Sequence, residues 1–221
     1  MDERLPDMAE RRLSSAERRA QLVGIARDVI ATEGTDALTL AYLASRAGIS
    51  KPVVYDHFSS RSALLLSLYQ DFDQRHLADL HAAIAHTPPD LRQRIEAIAS
   101  AHVACVVSQG VELSGVVAAL AGTPALEKAR RESERRYVDV CRQALRNADG
   151  AADLSEEAAI AYLGAADALG HAAARETISP ELARSTITTV LLSLVNVTPD
   201  HGARPSRPGS AGARSSDSVP P

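Results

Sequence analysis

Thr39-Leu40-Ala41-Tyr42-Leu43-Ala44-Ser45-Arg46-Ala47-Gly48-Ile49-Ser50-Lys51-Pro52-Val53-Val54-Tyr55-Asp56-His57-Phe58-Ser59-Ser60-Arg61-Ser62 reads as two short helices joined by a tight turn. Thr39 precedes the apolar positions Leu40, Leu43, Ala44 and Ala47, and its hydroxyl suits an N-cap because it can accept from an orphan amide of the first turn. Steps of three and four put Leu40, Leu43 and Ala47 on one buried face. Gly48 can take the left-handed conformation that stops the helix. Ile49 then plugs the turn into the core and Ser50 is placed to cap the second helix. Pro52 falls in that helix's first turn, where a missing amide costs nothing. Val54 and Phe58, four apart, face inward, which leaves Lys51, Pro52, Val53, Tyr55, Asp56 and His57 outward or at the edge.

This is the build of a helix-turn-helix, whose second helix enters the major groove of DNA. Ser50, Lys51, Tyr55 and Arg61 supply hydroxyl and cationic donors suited to phosphate oxygens, with Arg46 flanking. Pro52 and Val53 offer apolar contact of the kind used against thymine methyls. The alternative of an ordinary pair of core helices does not account for so many polar and cationic groups on and around the second helix.

The Thr39-Leu40 start, the Leu43-Ala44 and Ala47-Gly48-Ile49-Ser50 run, and Tyr55, His57 and Phe58 resemble the DNA-binding domain of TetR-family transcriptional regulators. The match continues into Leu64 and Leu65 and covers about residues 15–70. It implies that Lys51 and Tyr55 lie near DNA backbone and that the first residues of the second helix read bases. Thr39, Arg46, Ser50, Lys51, Pro52, Val53, Tyr55, His57 and Arg61 are therefore the expected DNA-binding residues. Pro52 departs from the family pattern, where a small residue is frequent, and so bears on which bases are read.

The chain of 221 residues is long enough for one large or two small domains, and its 45% hydrophobic content supports a packed core. Its net charge of −4 runs against DNA binding as a whole-chain sum, but the charge is unevenly distributed. Residues 1–61 hold nine basic and nine acidic groups, whereas residues 62–198 hold 12 basic and 17 acidic. Local cations govern phosphate binding, not the global sum. Arg11 and Arg12 suit either an arm reaching an adjacent minor groove or a solvated terminus. Cys105 and Cys141 have no paired spacing, so neither a disulfide framework nor a zinc site is indicated. Without a signal-like N-terminal run or a long apolar span, the expected location is cytoplasmic.

The periodicity predicts an all-α chain of about nine helices. A disordered arm (1–14) precedes a three-helix helix-turn-helix DNA-binding domain (15–61), a helical effector-binding and dimerisation domain (62–198) and a disordered tail (199–221). The first helix buries Leu22, Ile25, Ala26, Val29 and Ile30. A helix of about 25 residues ending near Ala85 would connect the domains as a lever, broken by Thr87-Pro88-Pro89-Asp90. Further helices are expected over 90–108, 111–121, 124–147, 155–177 and 180–197. The last is apolar through Ile187, Val190, Leu191, Leu194, Val195 and Val197, and the one before it is rich in small residues such as Ala161, Gly164, Ala165, Ala168 and Ala172. Such faces suit a four-helix seam between two copies, and the resemblance implies dimerisation through the last two helices. A two-fold dimer implies a palindromic operator.

An effector pocket is expected among the later helices, lined by Tyr69, Phe72, His102, Cys105, Val106, Leu120, Tyr137, Cys141, Tyr162, Leu169 and His171. His102 and Cys105 share a helix face, but two or three dispersed ligands do not make a metal site, and no metal or cofactor is expected. The charged run Glu127 to Arg136 reads as a helix face paired with itself. The function expected is a ligand-responsive repressor, released from its operator by a small molecule. A DNA-binding regulator without ligand response is the alternative. An all-α enzyme is the remote one, since no Glu-x-x-His pair, nucleophile–base pair or Gly-rich phosphate loop is present.

Overall fold

A computed structural model describes residues 13–197. The arm with Arg11 and Arg12 and the tail lie outside the described residues. Helix α1 (Ser15–Glu33) opens on a capping box, with Ser14 Oγ accepting from Glu17 N at 3.2 Å and Glu17 Oε2 accepting from Ser14 N at 2.8 Å. It stops at Gly34, whose φ of 83° a side chain would oppose, and a 3-10 turn, Thr35–Ala37, follows.

Helix α2 (Leu40–Ala47) is capped by Thr39 Oγ1, which accepts from Tyr42 N at 3.0 Å, and it ends on left-handed Gly48. Helix α3 (Lys51–His57) has Ser50 at its N-cap position, but the serine makes no side-chain cap bond, contrary to the sequence expectation. Pro52 has no amide to offer it, and Val53 N donates to the Ser50 carbonyl instead, at 3.1 Å. Helix α4 (Arg61–Ala85), capped by Ser60, runs 25 residues, about 37 Å at 1.5 Å per residue.

Helix α5 (Leu91–Leu120) joins the two helices expected over 90–108 and 111–121. The expected break survives as a 76° bend between Leu91–Ser108 and Leu113–Leu120. Helices α6 (Pro124–Arg146), α7 (Glu156–Ala174) and α8 (Pro180–Leu194) follow, each with a Ser or Thr side chain capping its first turn. Helix α8 stops earlier than expected because Val195 is extended and Asn196–Val197 (β2) pairs antiparallel with Ala152–Asp153 (β1). A ladder of two residues per strand carries no periodicity for a sequence reading to detect. Among the described residues no single helix is long and apolar enough to cross a membrane.

Two apolar cores form. The first joins α1, α2 and α3 to the start of α4 through Leu22, Ala26, Val29, Leu43, Val54, Phe58, Leu64 and Leu68, and it takes in Val116 and Leu120 from beyond the bend in α5. The second joins Leu80 of α4 to Ile95, Ile98 and Val103 of α5, Val138 and Leu145 of α6, Tyr162 of α7, and Ile187 and Leu191 of α8. Helix α4 therefore has one end in each core, and α5 after its bend returns to the first.

Candidate nucleic-acid interface and interior cavity

Helix α3 is held from three sides. Val54 and Phe58 are 0% and 1% exposed, so its inner face is fully committed to the first core. Gly48 sets the turn that aims it. Arg19 of α1, not singled out by the sequence reading, donates from Nη1 to the carbonyl of His57 at 2.7 Å and from Nη2 to Ser67 Oγ at 2.6 Å. The same guanidinium lies 4.5 Å from the centre of the Phe58 ring. It ties α1, the end of α3 and α4 together, and it places a positive charge on the carbonyl end of α3, where the helix dipole favours one. An arginine early in α1 looks like any surface cation in sequence, so no local signal marked it.

The outward face of α3 is open. Lys51, Pro52, Tyr55 and Asp56 are exposed, Tyr55 to 53%, with Val53 and His57 half-buried at the edges. The side chains of Lys51 and Tyr55 make no hydrogen bond or ion pair among the described residues. The other expected DNA-binding residues are partly occupied. Thr39 uses its hydroxyl as the α2 cap. Arg46 pairs with Glu33 at 3.3 Å, which also accepts from Tyr42 Oη. Arg61 donates to the carbonyls of Leu38 at 2.8 Å and Thr35 at 2.7 Å, so it locks the start of α4 onto the 3-10 turn.

A cavity of about 400 Å³ lies among α4, α5, α6 and α7. Seven of the expected effector residues line it: Tyr69, Phe72, His102, Cys105, Val106, Tyr137 and His171. Four do not. Leu120 is 2% exposed in the first core. Cys141 follows the cavity stripe of α6 one turn too far and is fully buried. Tyr162 lies behind Tyr137, stacked at 6.4 Å between ring centres with their hydroxyls 3.0 Å apart. On α7 the cavity stripe is Leu163, Asp167 and His171, and Leu169 is two residues from it, roughly 200° around the helix, against the second core.

The cavity is more polar than the sequence reading expected. His76 and Asp73 of α4, Asp167 of α7, and Arg130, Ser133 and Glu134 of α6 all line it. The last three come from the run read as a helix face paired with itself. Lys128 and Glu132 do pair that way, at 3.9 Å, but Arg136 and Ser133 both reach across to Asp73. Spacing along one helix cannot show that a partner waits on the next. His76, His102 and Tyr137 form a ring cluster with centres 5.1 to 5.8 Å apart. Burial lowers both histidines to about 4 and raises the thiols of Cys105 and Cys141 to about 11 and 12, so all four groups are neutral near pH 7. Cys141 stands apart from the cavity that His102 and Cys105 share, and among the described residues no group of three or more His, Cys, Asp or Glu is placed to hold a metal ion.

The family model for bacterial regulatory proteins of the tetR family matches residues 22–68. A stretch of 93 residues is 41% identical to the HTH-type transcriptional activator FasR of Mycolicibacterium smegmatis, over 41% of this chain and 41% of that one. The match thus spans about two fifths of that relative's length. Among solved structures, a TetR/AcrR-family regulator from Thermobifida fusca is 23% identical with a TM-score of 0.60, over 85% of this chain and all but 1% of its own. A TetR transcription regulator from Haloarcula marismortui is 15% identical with a TM-score of 0.67, over 82% of this chain and 100% of its own. At such identities the likeness is one of fold. The helix-turn-helix segment thus matches the tetR family of bacterial regulatory proteins, and the helical layout is shared with solved regulators of that description.

Proposed function

We propose that this chain is a ligand-responsive DNA-binding transcriptional regulator that acts in the cytoplasm as a homodimer on a palindromic operator. The observation that carries the DNA-binding part is α3 itself. A seven-residue helix with one face wholly buried and a cation and a tyrosine left unpartnered on the other has little to contribute except contact with something outside. Lys51 and Tyr55 serve as phosphate contacts, with Ser50, Thr39, Arg46 and His57 beside them, and Pro52 and Val53 meet base edges. Arg61 supports the interface by holding α4 to the 3-10 turn. Residues 15–61 form the reading head and residues 62–198 the effector and dimer domain, with the first core also drawing in Leu64, Leu68, Phe72, Val116 and Leu120 from beyond residue 61.

The dimer seam is assigned to α7 and α8. On α7 the exposed positions Ile160, Ala161, Gly164 and Ala168 follow helical spacing, with Ile160 66% exposed and open space around Gly164. On α8 Leu182 is 53% exposed, and the hydroxyls of Ser185, Thr186, Thr189 and Ser193 bond carbonyls of their own helix. Hydroxyls satisfied in this way lose less when water is excluded, which suits a face that a second copy covers.

Repression by occupying the operator, relieved when the cavity fills, is the primary reading. Activation is the second, favoured by the 41% identical relative being named an activator. The test is a fluorescence anisotropy titration of DNA from upstream of the chain's own gene. Lys51→Ala is expected to weaken binding across sequences and to lower the salt slope by about one. Tyr55→Ala is expected to weaken binding as well. Wild-type binding by both variants would show that α3 is not the DNA-contacting helix.

A further inference from the structure

The cavity contains polar atoms whose hydrogen bonds are unmet. His102 is 3% exposed, and beyond a backbone contact with Ala166 its ring nitrogens make no hydrogen bond among the described residues. His76 Nε2 is also buried and unpartnered. The acid facing His102 is Asp167, with Oδ1 3.6 Å from His102 Nε2, just beyond bonding distance. Buried polar atoms are nearly always satisfied in folded proteins, so unsatisfied ones lining a cavity mark a place where a ligand supplies the missing partners.

The charges around the cavity decide what that ligand is. From α4 comes Asp73, already held by Ser133 and Arg136. From α6 come Arg130 and Glu134, both exposed and one turn apart, so that solvent screens two charges of opposite sign. From α7 come His171, which bonds its own helix at the Asp167 carbonyl, and Asp167 itself. The Asp167 carboxyl is half exposed and forms no Lys or Arg ion pair among the described residues; partial burial raises its pKa against the opposing pull of His171 and Arg130. The lining therefore carries three carboxylates, Asp73, Glu134 and Asp167, against Arg130, beside two neutral imidazoles.

An organic acid would place a second carboxylate next to Asp167. Beyond exposed Arg130, whose charge Glu134 offsets, it could gain a cationic partner only by protonating His76 or His102, and a pKa of about 4 makes that roughly a thousandfold unfavourable near pH 7. A protonated amine meets neither obstacle. It supplies the counter-charge, its N–H groups donate to the imidazole lone pairs, and the rings of Tyr69, Phe72 and Tyr137 offer the aromatic faces that cations favour.

We propose that the cavity takes a monovalent organic ammonium ion. Its N–H donors are shared between the Asp167 carboxylate and the unpartnered nitrogens of His102 and His76, and its apolar body lies against Phe72, Val106 and Leu163. A volume of about 400 Å³ falls within the range of small-molecule sites. This names the ligand class of the effector site and rests on reading that cavity as the effector site.

The test is calorimetry on the full chain at pH 7.5 with three probes of one shape: 4-phenylbutylammonium, 4-phenylbutyrate and 4-phenylbutanol. The ammonium is expected to bind at least tenfold more tightly than either of the others. Asp167→Asn should weaken the ammonium at least tenfold and leave the alcohol unchanged. His102→Phe, which removes the unsatisfied ring nitrogens without opening a void, should weaken the ammonium while leaving thermal stability at or above that of the parent. Equal or tighter binding of the acid or the alcohol, undiminished ammonium binding to Asp167→Asn, or no binding of any probe overturns the proposal. Operator release measured alongside separates the two readings. Ammonium binding that depends on Asp167 but leaves DNA bound supports the ligand class and removes the effector role. Release by the acid or the alcohol supports the effector role and removes the ligand class.

Discussion

Replacing Arg19 by alanine tests whether α3 is aimed from within the protein. The guanidinium makes two hydrogen bonds, to the His57 carbonyl at 2.7 Å and Ser67 Oγ at 2.6 Å, and covers the Phe58 ring at 4.5 Å. Bonds from a charged donor contribute about 1.5–3 kcal/mol each when buried, but Arg19 is exposed, so about 1 kcal/mol for the pair is the fitting scale. The cation–ring contact adds about 0.5–1 kcal/mol. Ser67 keeps its bond to the Ala63 carbonyl, so no buried hydroxyl is orphaned and the cost stays near 2 kcal/mol rather than rising further. The chain has no tryptophan, so urea unfolding is best followed by far-ultraviolet circular dichroism, at a fixed protein concentration.

Operator affinity should fall about tenfold, because the C-terminal end of α3 loses its anchor while its contact residues remain. The salt dependence distinguishes positioning from contact. A positioning role leaves the slope of log affinity against log salt unchanged, whereas loss of a phosphate contact lowers it by about 0.9. Arg19→Lys should fall between the parent and Arg19→Ala, since an ammonium keeps the charge and loses the fork. A stability change under about 0.5 kcal/mol with affinity within twofold of the parent would refute the clasp, given the bond strengths above. A slope reduced by about one would move Arg19 to the DNA backbone instead.

Gly115→Ala would bring a methyl group to 2.3 Å from Thr35 Oγ1, and should cost about 1–3 kcal/mol by thermal melting. Thr35→Ala in the same chain should recover at least half of it, and strictly additive losses would place the clash elsewhere. His76 and His102 are held at about 4 in the folded chain against an ordinary 6.5, so the unfolded chain binds more protons between these values. Their contribution to stability is full above about pH 6.5 and is lost as pH falls toward 4, at about 3 kcal/mol for one histidine and less than twice that for the coupled pair. Melting temperatures from pH 7.5 to 4.5 should therefore drop less steeply for a His76→Phe, His102→Phe double variant, and parallel curves would count against it. Ile160→Glu with Leu182→Glu should turn a dimer into a monomer by light scattering, and an unchanged mass would remove α7 and α8 as the seam.

Helix starts and stops were legible because their causes are local. Thr39, Ser60, Thr123, Ser155 and Ser179 each stand one residue before a helix and bond its first turn. Gly34 and Gly48 sit where the chain needs a positive φ. Helix α3 and its buried Val54 and Phe58 were readable for the same reason, since period and turn chemistry determine them without reference to distant residues. Ser50 misled because a favourable cap residue was followed by a proline that removes the donor. Apart from Cys105 and Val106, the cavity was legible where an aromatic or histidine interrupted an apolar stripe. Asp73, Asp167 and the Arg130–Glu134 turn were missed because which face of α4, α6 or α7 lines a cavity depends on how the helices are rotated against one another. Their polarity in sequence is that of any solvated face.

The bend in α5 is where the proposed ligand response would meet the reading head. Leu113 and Val117 line the cavity and also pack on the first core, while Val116 and Leu120 lie inside that core with Val54 and Phe58. Between them Gly115 presses on Thr35, whose carbonyl accepts from Arg61 at the start of α4. A ligand that displaces residues 113–118 therefore cannot leave the first core unchanged, because those residues are part of it. Close packing makes such a shared element favour discrete arrangements over gradual yielding. Any difference in ligand affinity between the arrangements must appear, factor for factor, as a difference in operator affinity. The direction of response is then set by which arrangement fits the operator spacing, so the same joint serves repression or activation, and the cavity chemistry alone does not choose between them.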